Sequence, residues 1–371
     1  MFTIDMLPAQ RGDALWIEYG DPEDPHRVLI DGGIKRTSKT LRDRIEKLPE
    51  KKRRFDLLVI THIDLDHIAG VLELLRNPPA GFEVDDVWFN AWEHLEAAQK
   101  IVDEGILGSK MGESVSALIK ARNYPWNKFF NEGPVAILDD MSLPRKTLAG
   151  GMHLTLLSPT AQRLKNLMPA WRKEVEDAGL EPGGAGETLE GLGHPVEVAD
   201  DGILGAAIDI RGLSEGPFKG DASPANGSSI AFLAEFEEKR CLFAGDAYAT
   251  DLADAVKRAI AEENDGSQLK IGALKLSHHG GRKNTSATLL QRLRCPRYLF
   301  STDGSSYDHP HDESVARVIV HGARPGEPRP SLIFNYRSDE TKRWDDKELF
   351  DGDDPYEPIY PDADKGITVE L

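Results

Sequence analysis

Cysteine is nearly absent. Of 371 residues only Cys241 and Cys295 are cysteines, and neither belongs to a Cys-x-x-Cys pair, so neither a disulfide framework nor a cysteine zinc ribbon can be built. Both sit in apolar, strand-like contexts and read as core thiols, a usage that points to a reducing, cytoplasmic location. No stretch approaches the run of about 18 apolar residues that a membrane-spanning helix needs. "MFTIDMLPAQRGD" has no basic segment leading into an apolar one, so no signal peptide is expected. Positive charge is also short: 45 Lys and Arg against 63 Asp and Glu give a net charge of −18. That balance excludes coating nucleic acid by bulk electrostatics, although a bound metal and a few local cations can still make one groove attractive to phosphate. No G-x-x-x-x-G-K-[ST] motif and no nucleophile elbow is present, so P-loop ATP hydrolysis and serine-hydrolase chemistry have no support.

What the chain does contain is an α/β pattern. "ALWIEYG" and "HRVLIDGG" read as two strands around a Pro- and Asp-rich turn, and "FDLLVI" as a central strand buried on both faces. The pattern then repeats. "SSIAFLAEF", a short turn and "KRCLFAGDA" form a second strand pair, followed by the strand-like "IGALKLSHHGG". Each half delivers Asp and His at strand ends: Asp31 and His62 in the first, Asp246 and His278 in the second. Two similar β-rich halves predict two facing sheets with helices outside and ligands converging along one edge. The chain is read as a single domain over 1–371. Residues 160–226 form a polar, Gly-rich insertion with long loops, and 340–365 an acidic segment before a last strand.

Six of the eleven histidines fall in three tight pairs: His62 and His67, His278 and His279, His309 and His311. In "THIDLDH" the chain leaves a strand and enters a turn. His62 and Asp64 can therefore point together, while Asp66 and His67 serve a neighbouring site. Mixed imidazole and carboxylate ligands at this spacing suit two adjacent divalent ions.

The motif resembles the signature of the metallo-β-lactamase-fold hydrolases, which implies a four-layer αββα sandwich. Asp31 in "LIDGG", Asp246 in "FAGDA" and His278 in "LSHHGG" follow in that family's order. Within the superfamily the chain is most similar to the hydrolase domain of the bacterial competence (ComEC-like) DNA-uptake proteins. The likeness rests on "AQRGDALWIEYG", "KLSHHGGRKNTS" and "YDHPHDESV", and covers residues 3–90 and 226–335 without the competence proteins' membrane channel.

The resemblance implies a first metal on His62, Asp64 and Asp246, and a second on Asp66, His67, Asp246 and His278, with Asp246 bridging. Asp31 is expected to support a ligand histidine, and is also a natural turn former before Gly32. Alternation of strand side chains leaves open which of His278 and His279 faces the ions. The favoured reading makes His278 the ligand and His279 a substrate or supporting contact. Most zinc members place a third histidine before the bridging Asp. Here "ANGSSI" supplies Asn226 instead, in a supporting role, so the first site is poorer in nitrogen and weaker, and Mn²⁺ competes with Zn²⁺.

His309 and His311 are candidates for donating a proton to a leaving oxygen or touching a phosphate. Lys275, Arg282 and Lys283 could steer an anionic substrate. Trp88, Trp92 and His94 could wall the site, whereas Trp126 and Trp171 read as packing residues. The resulting expectation is a metal-dependent hydrolase sharing a hydroxide between two ions, and acting on a phosphodiester such as single-stranded DNA or a nucleotide. Two other readings fit the same residues. One is hydrolysis of a lactone, thioester or β-lactam. The other is a regulatory subunit of a defence or uptake system, with weak metal occupancy and a protein partner on the insertion.

Overall fold

The computed structural model describes residues 1–102, 110–138, 142–177, 181–183, 209–264, 266–324, 326–345, 355–363 and 366–371. Two large sheets dominate. The first runs, edge to edge, Ile367–Glu370, Phe2–Met6, Leu15–Tyr19, His26–Ile30, Leu57–Val59, Val87–Trp88. Its first four strands are mutually antiparallel and the last two join in parallel. The second runs Glu357–Ile359, Ser331–Phe334, Arg297–Phe300, Ala273–Lys275, Lys239–Phe243, Ala231–Phe236, His153–Ser158, Arg145–Thr147. Here the first five strands are parallel and the remaining pairings antiparallel.

Strand periodicity decides the layers. Side chains alternate across a strand, so Val28, Ile30, Leu57 and Val59 share a core with Leu154, Phe232 and Phe243 of the second sheet. Their neighbours Leu29 and Leu58 face the other way. They pack with Leu41 and Ile45 of helix Thr37–Lys47 and with Ile68 and Leu72 of helix Leu65–Arg76. Helices Ala249–Glu263 and Asp312–Gly322 add Leu252, Val256, Val315 and Val318 to the core of the second sheet. This is the αββα arrangement expected from the two-half pattern.

The internal repeat positions the site. Hairpin Leu15–Ile30 is followed by the parallel strand Leu57–Val59, with Ile30 opposite Val59. Hairpin Ala231–Phe243 is followed by the parallel strand Ala273–Lys275, with Phe243 opposite Lys275. In parallel strands the carboxyl ends fall at one edge, so the loops carrying Asp31, His62, Asp246 and His278 emerge together.

Helix Ala161–Asp177 occupies the start of the 160–226 stretch and buries Trp171. Its residues 178–180 and 184–208 lie outside the described residues. Of the 340–365 stretch, 346–354, 364 and 365 lie outside them too, while Glu357–Ile359 closes one edge of the second sheet. Ile367–Glu370 returns to pair with Phe2–Met6. Among the described residues no helix is long and apolar enough to cross a membrane.

Candidate metal centre

The strand Leu57–Val59 ends just before Thr61, and helix Leu65–Arg76 starts after Asp64. Asp66 sits in that helix's first turn, where a carboxylate suits the positive end of the helix dipole. The helix approaches the Asp31 loop through glycine: a Cβ on Gly70 would lie 1.8 Å from the Gly32 carbonyl oxygen. Only two glycines allow this contact, and the amides of Gly32 and Gly70 donate across it to His67 and Gly33.

Asp31 organises both histidines of "THIDLDH". Its Oδ2 accepts from His67 Nδ1 at 2.8 Å and from Thr61 Oγ1 at 2.7 Å. With its only proton given to Asp31, Thr61 Oγ1 can only accept from His62 Nδ1, 2.9 Å away. Both rings therefore carry hydrogen on Nδ1 and leave the Nε2 lone pair for another partner.

The double-histidine segment differs from the strand reading. The strand stops at Lys275, and Ser277–Gly280 form a tight turn in which His278 (φ 49°) and His279 (φ 56°) are both left-handed. Alternation does not apply to such a turn, and the two rings point to different neighbours. His279 Nε2 lies 3.6 Å from Asp66 Oδ2, and its Nδ1 donates to the Ser301 carbonyl at 2.9 Å. His278 Nε2 lies 3.7 Å from Asp246 Oδ2 instead. Its Nδ1 meets Asn284 Oδ1 at 3.1 Å, within a network joining Asn226, Asp221 and Asn284. The ring beside Asp66 and His67 is thus that of His279, where the sequence reading had placed His278.

Asp246 sits at the junction, with Oδ2 3.7 Å from His62 Nε2 and 3.4 Å from His67 Nε2. Asp64 Oδ2 lies 3.6 Å from His62 Nε2. Donor atoms of His62, His67 and Asp246 fall within 4.8 Å of one another, and so do those of Asp66, His67 and His279. Nε2 of His62, His67 and His279 and Oδ1 of Asp246 are buried without a hydrogen-bond partner among the described residues. Orphaned polar atoms are costly inside a protein, and a cluster of them converging from three stretches of chain is what a divalent cation would satisfy. The donor set fits such an ion.

The local field points the same way. Burial disfavours the His67 imidazolium, but Asp246 and Asp31 raise its pKa well above the ordinary value. Burial likewise opposes charge on His279, yet Asp13 and Asp246 lift it to about 9. Asp246, despite burial, is held far below the usual carboxylate range by His67, His278 and His279. His309 is driven the other way, well below its ordinary value, by burial and then by His278, His311 and His279.

A cavity of about 300 Å³ opens beside these donors, lined by Asp64, Asp66, Asp246 and His278 and by Arg282, Lys283, His309 and His311. Lys275 is a correction to the sequence reading. It is fully buried, its Nζ donates to Asp13 Oδ2 at 2.7 Å and to the Leu276 carbonyl at 2.9 Å, and it does not face the cavity. As the last strand residue it points into the interior, where its charge neutralises Asp13. Trp88, Trp92 and His94 do not wall the site either: all three are buried away from it, and His94 Nδ1 accepts from the Ala91 amide.

Four contributors went unassigned in the sequence. Asp13 braces His279, with Oδ1 3.5 Å from its Nδ1; burial opposes its charge, but Lys275, His279 and His67 together hold the carboxyl below the usual range. Its signal was the Gly12-Asp13 pair, since a Cβ on Gly12 would lie 1.9 Å from the Asp66 carbonyl oxygen. Asp221, Asn284 and Tyr307 line the cavity from loops that carry no periodic signal.

Residues 12–155 match the model of the Metallo-beta-lactamase superfamily, which supports a domain of that superfamily. No curated protein matches the chain. The superfamily match and the converging donors together support a metal-dependent hydrolase.

Proposed function

We propose that this chain is a phosphodiesterase acting on nucleic acid or a nucleotide-like diester. The observation that carries the proposal is the company the donors keep. Arg282, Lys283, His309 and His311 share their cavity, so two cations and two imidazoles stand beside the carboxylate and histidine donors. A lactone or β-lactam needs no such lining, whereas a phosphodiester brings a negative charge that gains a second as it is attacked. The likeness of the "QRGD", "LSHHGG" and "DHPH" segments to the competence-protein hydrolases supports the same substrate class.

We assign Asp66, His67, His279 and Asp246 to one ion and His62, Asp64 and Asp246 to the other, with His278 at the mouth beside Asp246. Divalent ions bound there would polarise a phosphoryl oxygen and lower the pKa of a water. The protein's own groups do the rest. Asp31 fixes His67 directly and His62 through Thr61, so both present Nε2 without reorganisation. Arg282 and Lys283 attract and orient the anion. His309, kept neutral by its surroundings, offers a ring N–H to a phosphoryl or leaving oxygen, and His311 at the start of helix Asp312–Gly322 stands beside it.

The test is hydrolysis by the purified protein with Mn²⁺ or Zn²⁺ of bis(p-nitrophenyl) phosphate, a single-stranded oligonucleotide, a chromogenic cephalosporin and an acyl lactone. Cleavage of the diesters is expected. Turnover of the cephalosporin or lactone with inert diesters would overturn the proposal.

A further inference from the structure

Beside the donor cavity lies a second concavity of about 480 Å³, whose walls include Arg11, Lys35 and Arg36 and no carboxylate. In a chain of net charge −18 such a patch is conspicuous. The two hollows share two segments of chain. In the turn that starts helix Leu65–Arg76, Asp64 and Asp66 line the donor cavity, while Leu65 lines the cationic one. In the loop after Phe300, Tyr307 lines the first, and Ser305 and Ser306 line the second. The two hollows therefore adjoin along both segments, and a ligand extending from the donors past Leu65 would meet the cationic one.

The groove is built on the same supports as the site. The Gln10 amide donates to the Tyr336 hydroxyl at 2.9 Å, and the Asp303 amide donates to the Gln10 carbonyl at 2.9 Å. Arg11 then reaches across to Ser306 Oγ at 3.2 Å. Lys35 and Arg36 stand on the loop that continues from Asp31, and both are exposed. Lys35 Nζ lies 3.9 Å from Glu73 Oε1, a loose surface pair that water screens. Three cations and two hydroxyls around an open groove form a phosphate-binding chemistry.

We infer that Arg11, Lys35 and Arg36 form a subsite for a second phosphate, so that the substrate is a single strand of linked phosphodiesters with the scissile bond at the donors. The inference rests on the phosphodiesterase reading and narrows it from any diester to a nucleic-acid strand. Cations on phosphates supply sequence-independent affinity, and they matter most on a surface that otherwise repels the ligand.

The test has two readouts. Fluorescence anisotropy of a labelled single-stranded oligonucleotide with the metal-free protein reads binding alone. The variant R11A/K35A/R36A is expected to bind about ten-fold or more weakly, with a log–log salt slope smaller by about 2, as for three lost phosphate contacts. With Mn²⁺, the ratio of kcat/KM on the oligonucleotide to that on bis(p-nitrophenyl) phosphate is expected to fall by a similar factor. DNA and RNA should lose alike, because the contacts are to phosphate. Unchanged binding and ratio, or a loss confined to one of the two nucleic acids, would overturn the subsite while leaving diester hydrolysis intact. Failure of the unmodified protein to cleave either substrate would overturn the phosphodiesterase reading instead.

Discussion

The two sides of Asp246 are built differently. On one side stand Asp66, His67 and His279, with both imidazoles buried and braced from behind by Asp31, Ser301 and Asp13. On the other stand His62, buried and held through Thr61, and Asp64; here there is one imidazole in place of two, while the carboxylates are alike, Asp64 keeping 18% of its side-chain exposure and Asp66 21%. Where a further imidazole could complete that side, Asn226 instead joins Asp221 and Asn284 in a hydrogen-bonded network that holds His278. Ligand chemistry, more than exposure, separates the two sides. A set with two imidazoles binds borderline cations tightly, whereas one with a single imidazole among carboxylates is weaker and more tolerant of harder ions. The two ions are therefore expected to bind in two resolved steps.

The largest effect is expected at the group both sides share. Asp246→Ala should remove retained metal from both sets and lower hydrolysis by about a thousand-fold. Full metal content by elemental analysis in that variant would dissolve the distinction. Next comes the histidine pair. His279→Ala should lose the tight ion, while His278→Ala should keep it and alter mainly turnover; the reverse stoichiometry would restore His278 as the buried ligand.

Asp31→Asn tests whether one carboxylate serves both sides. Because it orients His67 directly and His62 through Thr61, both binding steps should weaken about 10–100-fold. A change in one step alone would show that Thr61 holds His62 unaided.

The smallest effect is in pH. With a folded-state pKa of about 9 against an ordinary value of 6.5, the His279 imidazolium stabilises the metal-free fold. That contribution is complete below about pH 6.5 and is lost as pH rises through about 9. A metal must displace this proton, so affinity for the tight ion should rise over the same interval, by up to about ten-fold per pH unit. Melting temperatures of metal-free and metal-loaded protein should therefore diverge as pH climbs from 6.5 to 9. Parallel curves would mean that His279 is not displaced.

Much of the fold was legible because it is written in local periodicity. "FDLLVI" announces a strand buried on both faces, and Leu57, Leu58 and Val59 are fully buried between the opposite sheet and the helices. The repeat of hairpin plus parallel strand was visible for the same reason, and it predicts one ligand-bearing edge. Position was harder to read than residue type. Lys275 looked like a substrate cation from its neighbours in sequence, but strand geometry turns it inward onto Asp13, 262 residues away. His278 and His279 looked like alternating strand residues, but two consecutive left-handed conformations aim them at different partners.

By itself, then, the sequence determined the layers, the convergent edge and the donor types, because strand and helix periods and ligand chemistry are properties of short segments. Tertiary structure alone decided which histidine joins Asp66, which acid braces it, and which cations face open space. Those choices depend on side-chain directions in turns and on partners hundreds of residues apart, and no local pattern encodes either.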